Sequence, residues 1–309
     1  MGKIKTAVIG VGSFGQHHAR VVSESEKADL VAIVDFDEDR GKEIAGRNSV
    51  DFTKDYLSVA KKLDAAVVVT PTSSHFHIAS DLLQRGIHTF IEKPIAENAE
   101  EGKQLVDMAE KRGLVLQVGH IERFNPAFRA VRGLIDRPLY IEARRMSPFP
   151  ERIRDADVIT DMMIHDIDIS LHLLNSEITD IRAIGMKLIS DRLDIVQARI
   201  EFDSGTVVNL FASRVNSDRL RQLIIIEKKR QHLVNFLDKR SFCTSLSDTH
   251  DKSITCSAVE FKPEEPLKVE LNQFFKAIDN KNNDGVSGEE ATKVISVAER
   301  IREVISGSD

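Results

Sequence analysis

Three groups of residues in this sequence have the chemistry to handle a ligand. Asp161 and His165 stand four apart in Asp161-Met162-Met163-Ile164-His165-Asp166-Ile167-Asp168, a stretch that reads as the opening of a helix continuing through Ile169, Leu173 and Leu174. That spacing puts both side chains on one helix face, one turn apart. A carboxylate so placed holds an imidazole in one tautomer and raises its basicity, which is the chemistry of a proton carrier near neutrality. The bland alternative is a satisfied core histidine between apolar neighbours. Lys93, in Phe90-Ile91-Glu92-Lys93-Pro94, follows an apolar run; the proline fixes its direction, and Glu92 is its natural counter-ion. The same Glu-Lys-Pro also suits a solvated turn. Gly10, Gly12 and Gly15 form the spacing G-x-G-x-x-G. In such a loop one glycine permits a tight turn, one lets a pyrophosphate reach the backbone, and one lets a helix pack on its strand. The helix N-terminus then offers N–H groups and partial positive charge to the anion.

These residues need a frame, and the apolar pattern supplies one. Runs of strand length recur at residues 4–9, 30–34, 65–69, 89–91 and 114–118, with helix-length patterns between them. Near-continuous apolar strands alternating with helices mark a parallel sheet covered on both faces, an α/β domain. The first unit runs from strand through glycine loop and amphipathic helix to a second strand ending at Asp35, twenty residues beyond Gly15. An acidic side chain there accepts hydrogen bonds from an adenosine ribose, so the context favours a dinucleotide, and NAD over NADP, with Arg40 as the contrary sign. Thr70-Pro71-Thr72-Ser73-Ser74-His75 follows a third strand at the ligand-binding end of such a sheet, with Ser73 or Ser74 as an expected helix cap.

Beyond about residue 120 the texture changes. Alternating segments at residues 139–146, 181–188, 195–202, 207–213 and 223–227, separated by Ser, Asp, Asn and Gly turns, read as an antiparallel sheet with one solvated or partner-facing side. The expected domains are residues 1–120 and 121–309. A closing helix carries Ala291, Val294, Ile295, Ala298, Ile301 and Ile305 on one stripe, and Ser287 with Glu290 fits a capping box.

Composition narrows the function classes. A net charge of −6 argues against a general nucleic-acid surface. No apolar run reaches bilayer-spanning length and the start has no signal-peptide pattern, so no membrane partner and a cytoplasmic location are expected. Two cysteines, Cys243 and Cys256, suggest reduced thiols rather than a disulfide framework. His165, Asp168 and His172 could share a helix face, yet nothing else completes a metal ligand set, and residues 279–284 fit no calcium-loop register. No metal is expected.

Taken in order, the glycine loop, Thr70-Pro71 with His75, Glu92-Lys93-Pro94, Arg123-Phe124-Asn125-Pro126, the Asp161 and His165 pair, and Val286-Ser287-Gly288 with its helix resemble the Gfo/Idh/MocA family. The resemblance covers nearly the whole chain. It implies a Rossmann domain followed by an α+β domain with a large open antiparallel sheet, often an oligomer interface, so a homo-oligomer (dimer or tetramer) is expected. The last helix is expected to pack back toward the first domain. The resemblance also implies hydride transfer between a sugar or cyclitol carbon and nicotinamide, with Lys93, Asp161 and His165 as the catalytic group. Gly10, Gly12, Ser13, Phe14, Gly15, Asp35, Thr70, Pro71, His75, Glu92 and Lys93 would line the cofactor. The family often carries glycines before the Asp, where this chain has Asp155-Ala156-Asp157-Val158-Ile159-Thr160, a departure that bears on the shape of the substrate pocket.

For the substrate, Arg123, Arg144, Arg145, Arg152 and Arg154 cluster in an otherwise acidic chain, and guanidinium groups suit phosphate. A solvated surface is the alternative. Arg123, Asn125, Arg145 and Arg152 are the expected substrate contacts. The segments 119–126 and 161–168 also look like members acting on nucleotide sugars such as UDP-N-acetylglucosamine, which they oxidise at C3 to a 3-keto sugar. An inositol or free-sugar dehydrogenase is the rival enzyme reading, and a non-catalytic NAD-binding sensor or scaffold the rival of another class, against which Lys93 and His165 count.

Overall fold

A computed structural model describes residues 2–149, 156–247, 253–279 and 283–307. The chain divides into two units, Met1–Ile121 with Pro266–Lys293, and Glu122–Glu265 with Val294–Asp309.

The first unit holds six parallel strands, β1 (Ile4–Ile9), β2 (Ala28–Val34), β3 (Asp51–Thr53), β4 (Ala65–Val68), β5 (His88–Glu92) and β6 (Leu116–Gly119), in the order β3-β2-β1-β4-β5-β6. Helices α1 (Gly15–Ser23), α2 (Glu38–Asn48), α3 (Tyr56–Val59), α4 (Thr72–Gln84) and α5 (Ala99–Arg112) connect them. This is the Rossmann sheet, with the order reversing at β1 and β4. Strand β3 escaped the apolar pattern because Asp51-Phe52-Thr53 is too short and polar to show one. Local signals set the helix ends: Asp37 and Asn98 accept N–H bonds at the starts of α2 and α5, and Gly113 closes α5 in the left-handed region at φ 62°. The cap of α4 differs from expectation. Pro71 takes the cap position, and Ser74 Oγ instead donates to Thr70 Oγ1 and the Pro71 carbonyl, both at 2.8 Å.

In the second unit α6 (Pro126–Arg132), β7 (Tyr140–Met146), α7 (Ile164–Leu173) and β8 (Ile178–Met186) lead into β9 (Ile195–Phe202), β10 (Val207–Ser213), β11 (Leu220–Ile226), β12 (Arg230–Asn235), β13 (Arg240–Leu246) and β14 (Ile254–Ala258). The eight strands run β14-β13-β12-β11-β7-β10-β9-β8. All neighbours are antiparallel except β7 with β10, which are parallel, so the sheet is mixed rather than purely antiparallel. Strands β12 to β14 were not legible because their sequences are mostly polar, and β14 is exposed throughout. Alternation elsewhere is clean: Ile141, Ala143 and Arg145 of β7 are buried on one face, and Tyr140, Glu142, Arg144 and Met146 lie on the other.

Two C-terminal helices, α8 (Pro266–Ile278) and α9 (Gly288–Ser306), complete the chain. Leu267, Leu271, Phe274 and Phe275 of α8 are buried in the first unit's core with Val8, Ile33, Val67 and Phe90. Their 3–4 spacing explains why a segment expected with the second domain groups with the first. Ser287 and Glu290 form the capping box of α9, with reciprocal bonds of 3.0 and 3.2 Å. Its later residues Val294, Ala298, Ile301 and Ile305 join the second unit's core. Among the described residues no helix is long and apolar enough to cross a membrane.

Candidate functional site

In the first unit the glycine loop joins β1 to α1. Gly10 has φ 87°, and a Cβ there would stand 2.6 Å from the Val69 carbonyl oxygen; at Gly15 it would stand 2.0 Å from the Gly10 oxygen. Backbone therefore occupies both places. Around Gly12 an added Cβ meets nothing within 4 Å, so this glycine leaves open space beside the helix start. Helix α1 begins without a side-chain cap. A bare approach to backbone N–H groups at a helix N-terminus fits a pyrophosphate. Ser13 and Phe14 are exposed beside it.

Asp35 is buried at the end of β2. Its carboxylate accepts from Val11 N at 2.7 Å, Asp37 N at 2.8 Å and Arg40 Nη2 at 2.9 Å. Burial pushes its pKa up, but the bonds from Val11 and Arg40 outweigh that and hold it below the usual carboxylate range. The residue expected to meet a ribose thus also anchors the glycine loop, and it is paired with the arginine that argued against NAD selectivity.

Thr70 and Pro71 are at the surface of the loop after β4, while His75 is buried behind it. The His75 ring spans two loops, with Nδ1 2.8 Å from the Pro94 carbonyl and Nε2 2.8 Å from that of Thr70. Both ring nitrogens face backbone oxygens, so the buried ring supports the loop from behind. Glu92 is engaged as well: Oε1 lies 2.8 Å from His18 Nε2, and Oε2 accepts the Lys93 backbone N–H at 3.1 Å. Lys93 is half-buried at the end of β5, before a cis bond to Pro94.

In the second unit, Asp161 lies in a π-helical turn, Ile159–Met163, that runs directly into α7. The expected plain α-helical opening is therefore wider by a residue per turn, a geometry frequent at functional sites. Thr160, Asp161 and His165 are half-buried, whereas Met162, Met163 and Ile164 between them and the run Asp166 to Ser170 after them are buried. The three polar groups are thus the accessible edge of a buried segment. Asp157 starts the turn, accepting from Thr160 N at 2.8 Å and Thr160 Oγ1 at 3.0 Å. Arg302 of α9 clamps the other side of that carboxylate, Nε to Oδ2 at 2.6 Å. Burial pushes Asp157 up, and Arg302 more than offsets it.

The arginines divide in a way their sequence proximity hid. Arg123 is buried in a bidentate pair with Asp168, Nε to Oδ2 at 2.8 Å and Nη2 to Oδ1 at 2.7 Å. Arg145 is buried between Asp166, at 3.1 and 2.9 Å, and Glu122, at 2.8 Å. Both pairs therefore fasten α7, just after His165, to the short helical turn Ile121–Phe124 and to β7. Arg144 projects from the opposite face of the sheet and pairs with Glu142 at 2.7 Å. Asn125 is buried, capping α6 through Ala127 N and donating to Glu122 and the Phe236 carbonyl. Arg123, Asn125 and Arg145, the expected substrate contacts, thus direct polar atoms to internal carboxylates and backbone. Arg152 and Arg154 lie outside the described residues. Sequence reasoning passed over His18, Asp157 and Arg302; only the Asp-x-x-Thr spacing at Asp157 offered a local signal.

Comparison with known proteins agrees with this architecture. Residues 4–120 match the Gfo/Idh/MocA oxidoreductase family, NAD-binding Rossmann fold, and residues 129–230 match the Gfo/Idh/MocA C-terminal domain. The chain is 34% identical to a UDP-N-acetylglucosamine 3-dehydrogenase of Acidithiobacillus ferrooxidans, over 97% of this chain and 96% of that protein. A solved structure of that dehydrogenase superposes with a TM-score of 0.93 over 99% of each chain, at 33% identity. A scyllo-inositol 2-dehydrogenase (NAD(+)) of Bacillus subtilis is 31% identical over 69% of this chain and 68% of its own length.

Proposed function

This chain belongs to the Gfo/Idh/MocA oxidoreductases, sugar and inositol dehydrogenases that act on CH–OH groups with NAD, and from that membership we propose that it oxidises a nucleotide sugar, UDP-N-acetylglucosamine, at C3. The observation that carries the substrate is the end-to-end match to a UDP-N-acetylglucosamine 3-dehydrogenase, against the partial match to an inositol dehydrogenase.

Bound NAD supplies the hydride acceptor. The open space at Gly12 and the uncapped start of α1 take its pyrophosphate, and Asp35 takes the adenosine ribose, which favours NAD over NADP because a 2′-phosphate would face a carboxylate. His165 removes the hydroxyl proton as hydride leaves the carbon, with Asp161 fixing its tautomer. Lys93 donates to the developing alkoxide and orients the hydroxyl. Pairing with a second copy, as a dimer or tetramer, is proposed through the face of the eight-stranded sheet that carries Glu142, Arg144 and Met146.

A second reading, an inositol or free-sugar dehydrogenase, is supported by the pairing of Arg123 and Arg145, two of the guanidinium groups expected at a phosphate, with internal carboxylates. NAD reduction followed against UDP-N-acetylglucosamine, free hexoses and inositols separates the two; turnover of inositols alone would overturn the nucleotide-sugar assignment. His165→Ala is expected to keep NADH affinity and lose turnover by about a hundredfold or more, from the lower end of the range for a general base upward. Unchanged turnover would remove His165 from the mechanism.

A further inference from the structure

Lys93 is the one group in the proposed chemistry that stands at the end of a strand rather than on a helix, and the carboxylate of Glu92 holds its backbone. The Glu92 side chain, 19% exposed, receives the Lys93 backbone N–H on Oε2 and faces His18 Nε2 with Oε1. His18 is 2% exposed on α1, against the Phe90 ring at 5.8 Å, and its Nδ1 has no partner among the described residues, so Glu92 is its one directed side-chain bond. From the other side, β6 presents Gly119, register partner of Glu92. A Cβ there would lie 3.0–3.1 Å from the carboxylate carbon and both oxygens. Strand β6 is thus bare where the carboxylate sits.

We propose that His18 is a positioning residue for Lys93: its bond to Glu92 fixes the carboxylate that holds the Lys93 backbone and ties the end of β5 to the helix opening at the glycine loop. The inference rests on the reading of Lys93 given above. The charged groups facing Glu92 are His18 from α1, Lys93 at its own strand end and His75 from α4. Burial pushes the Glu92 carboxyl up; the bond and charge of His18, then the charge of Lys93, bring it below its ordinary range. Without His18 the carboxylate is free to turn away from the Lys93 N–H, and the end of β5 loses its tie to α1.

The test compares wild type, His18→Leu, His18→Gln and Lys93→Met. One arm needs no turnover: deuterium labelling of the Lys93 backbone amide, read by peptide mass spectrometry. In His18→Leu this amide is expected to lose protection by about fivefold or more, because the carboxylate that accepts its N–H is no longer held. In the second arm kcat on UDP-N-acetylglucosamine falls about tenfold or more while NADH affinity stays within about threefold, the split expected of misplacement at the reacting group. His18→Gln, whose amide reaches where Nε2 does, recovers kcat to within about threefold of wild type. A wild-type labelling profile in His18→Leu overturns the proposal, as does a Gln variant as impaired as the Leu variant. Full turnover by Lys93→Met would instead overturn the catalytic reading of Lys93, and the labelling arm would still decide the role of His18.

Discussion

The glycine loop of the first unit and the π-helical turn of the second both hold the backbone of a candidate site in place, and they do it with opposite materials. In the loop the restraint is backbone against backbone: Gly15 packs on the Gly10 carbonyl and Gly10 on that of Val69, with one side chain, Asp35, pinning Val11. Around Asp161 and His165 the restraint is charge: Arg145 and Arg123 hold Asp166 and Asp168, and Arg302 holds Asp157. A loop of the first kind tolerates no added atoms. A frame of the second kind tolerates no missing partner, since a buried charge stripped of its counter-ion is costly.

The sharpest break in this contrast is Gly15→Val. Its Cβ would fall 2.0 Å from the Gly10 oxygen, so the loop must open, and NADH affinity measured by fluorescence titration is expected to drop by about a hundredfold or more, as for a lost anion cradle. Retained affinity would show that the loop does not carry the cofactor. In the second unit, Arg145→Met leaves Glu122 and Asp166 buried without their guanidinium. Urea unfolding should show a loss of about 3–5 kcal/mol, with turnover reduced and NADH affinity kept. Adding Glu122→Gln should recover part of that stability; if it deepens the loss, the pair is not what holds the segment.

The same contrast decides what could be read beforehand. The loop, Asp35 and the capping box at Ser287 and Glu290 are short-range: each motif lies within a few residues or one βαβ unit, so spacing alone exposes it. Arg145 and Arg123 are 21 and 45 residues from their Asp partners, and Arg302 is 145 from Asp157. No local pattern announces such pairs. A cluster of arginines in sequence therefore looked like a phosphate site, although period-2 alternation along β7 already puts Arg144 and Arg145 on opposite faces. The parallel pairing of β7 with β10 escaped for the same reason, since β7 is inserted between strands far along the chain.

A milder probe of the charge-built frame is acid. Glu122 and Asp157 are buried, a situation that raises a carboxyl, yet Arg145 and Arg302 hold them below their ordinary values. Such groups add stability that is fully present above the unfolded-state carboxylate range and is lost as pH falls through the lowered folded values. The contribution of Glu122 and Asp157 to urea stability should therefore be level from about pH 7 to pH 5 and decline below about pH 4, while Asp166, pushed up by burial, acts in the opposite sense. Arg302→Met should flatten that decline, because Asp157 then titrates closer to its unfolded value. An unaltered acid slope would take Asp157 out of the account.

The smallest effect belongs to the exposed edge of the backbone-built loop. Arg40 pairs with Asp35 at 2.9 Å, but its side chain is 45% exposed, and pairs open to water contribute about 0–1 kcal/mol. Arg40→Ala should barely move stability, and Asp35 keeps its bonds from Val11 and Asp37, so NAD affinity should stay within about threefold. NADP is the discriminating ligand. Its 2′-phosphate needs a cation beside Asp35 to offset the carboxylate, and Arg40 supplies one. Removing it should weaken NADP binding more than NAD binding and raise the preference for NAD. If the variant instead gained NADP affinity, Arg40 would be blocking the phosphate position, and Asp35 could not be the residue that sets the choice of cofactor.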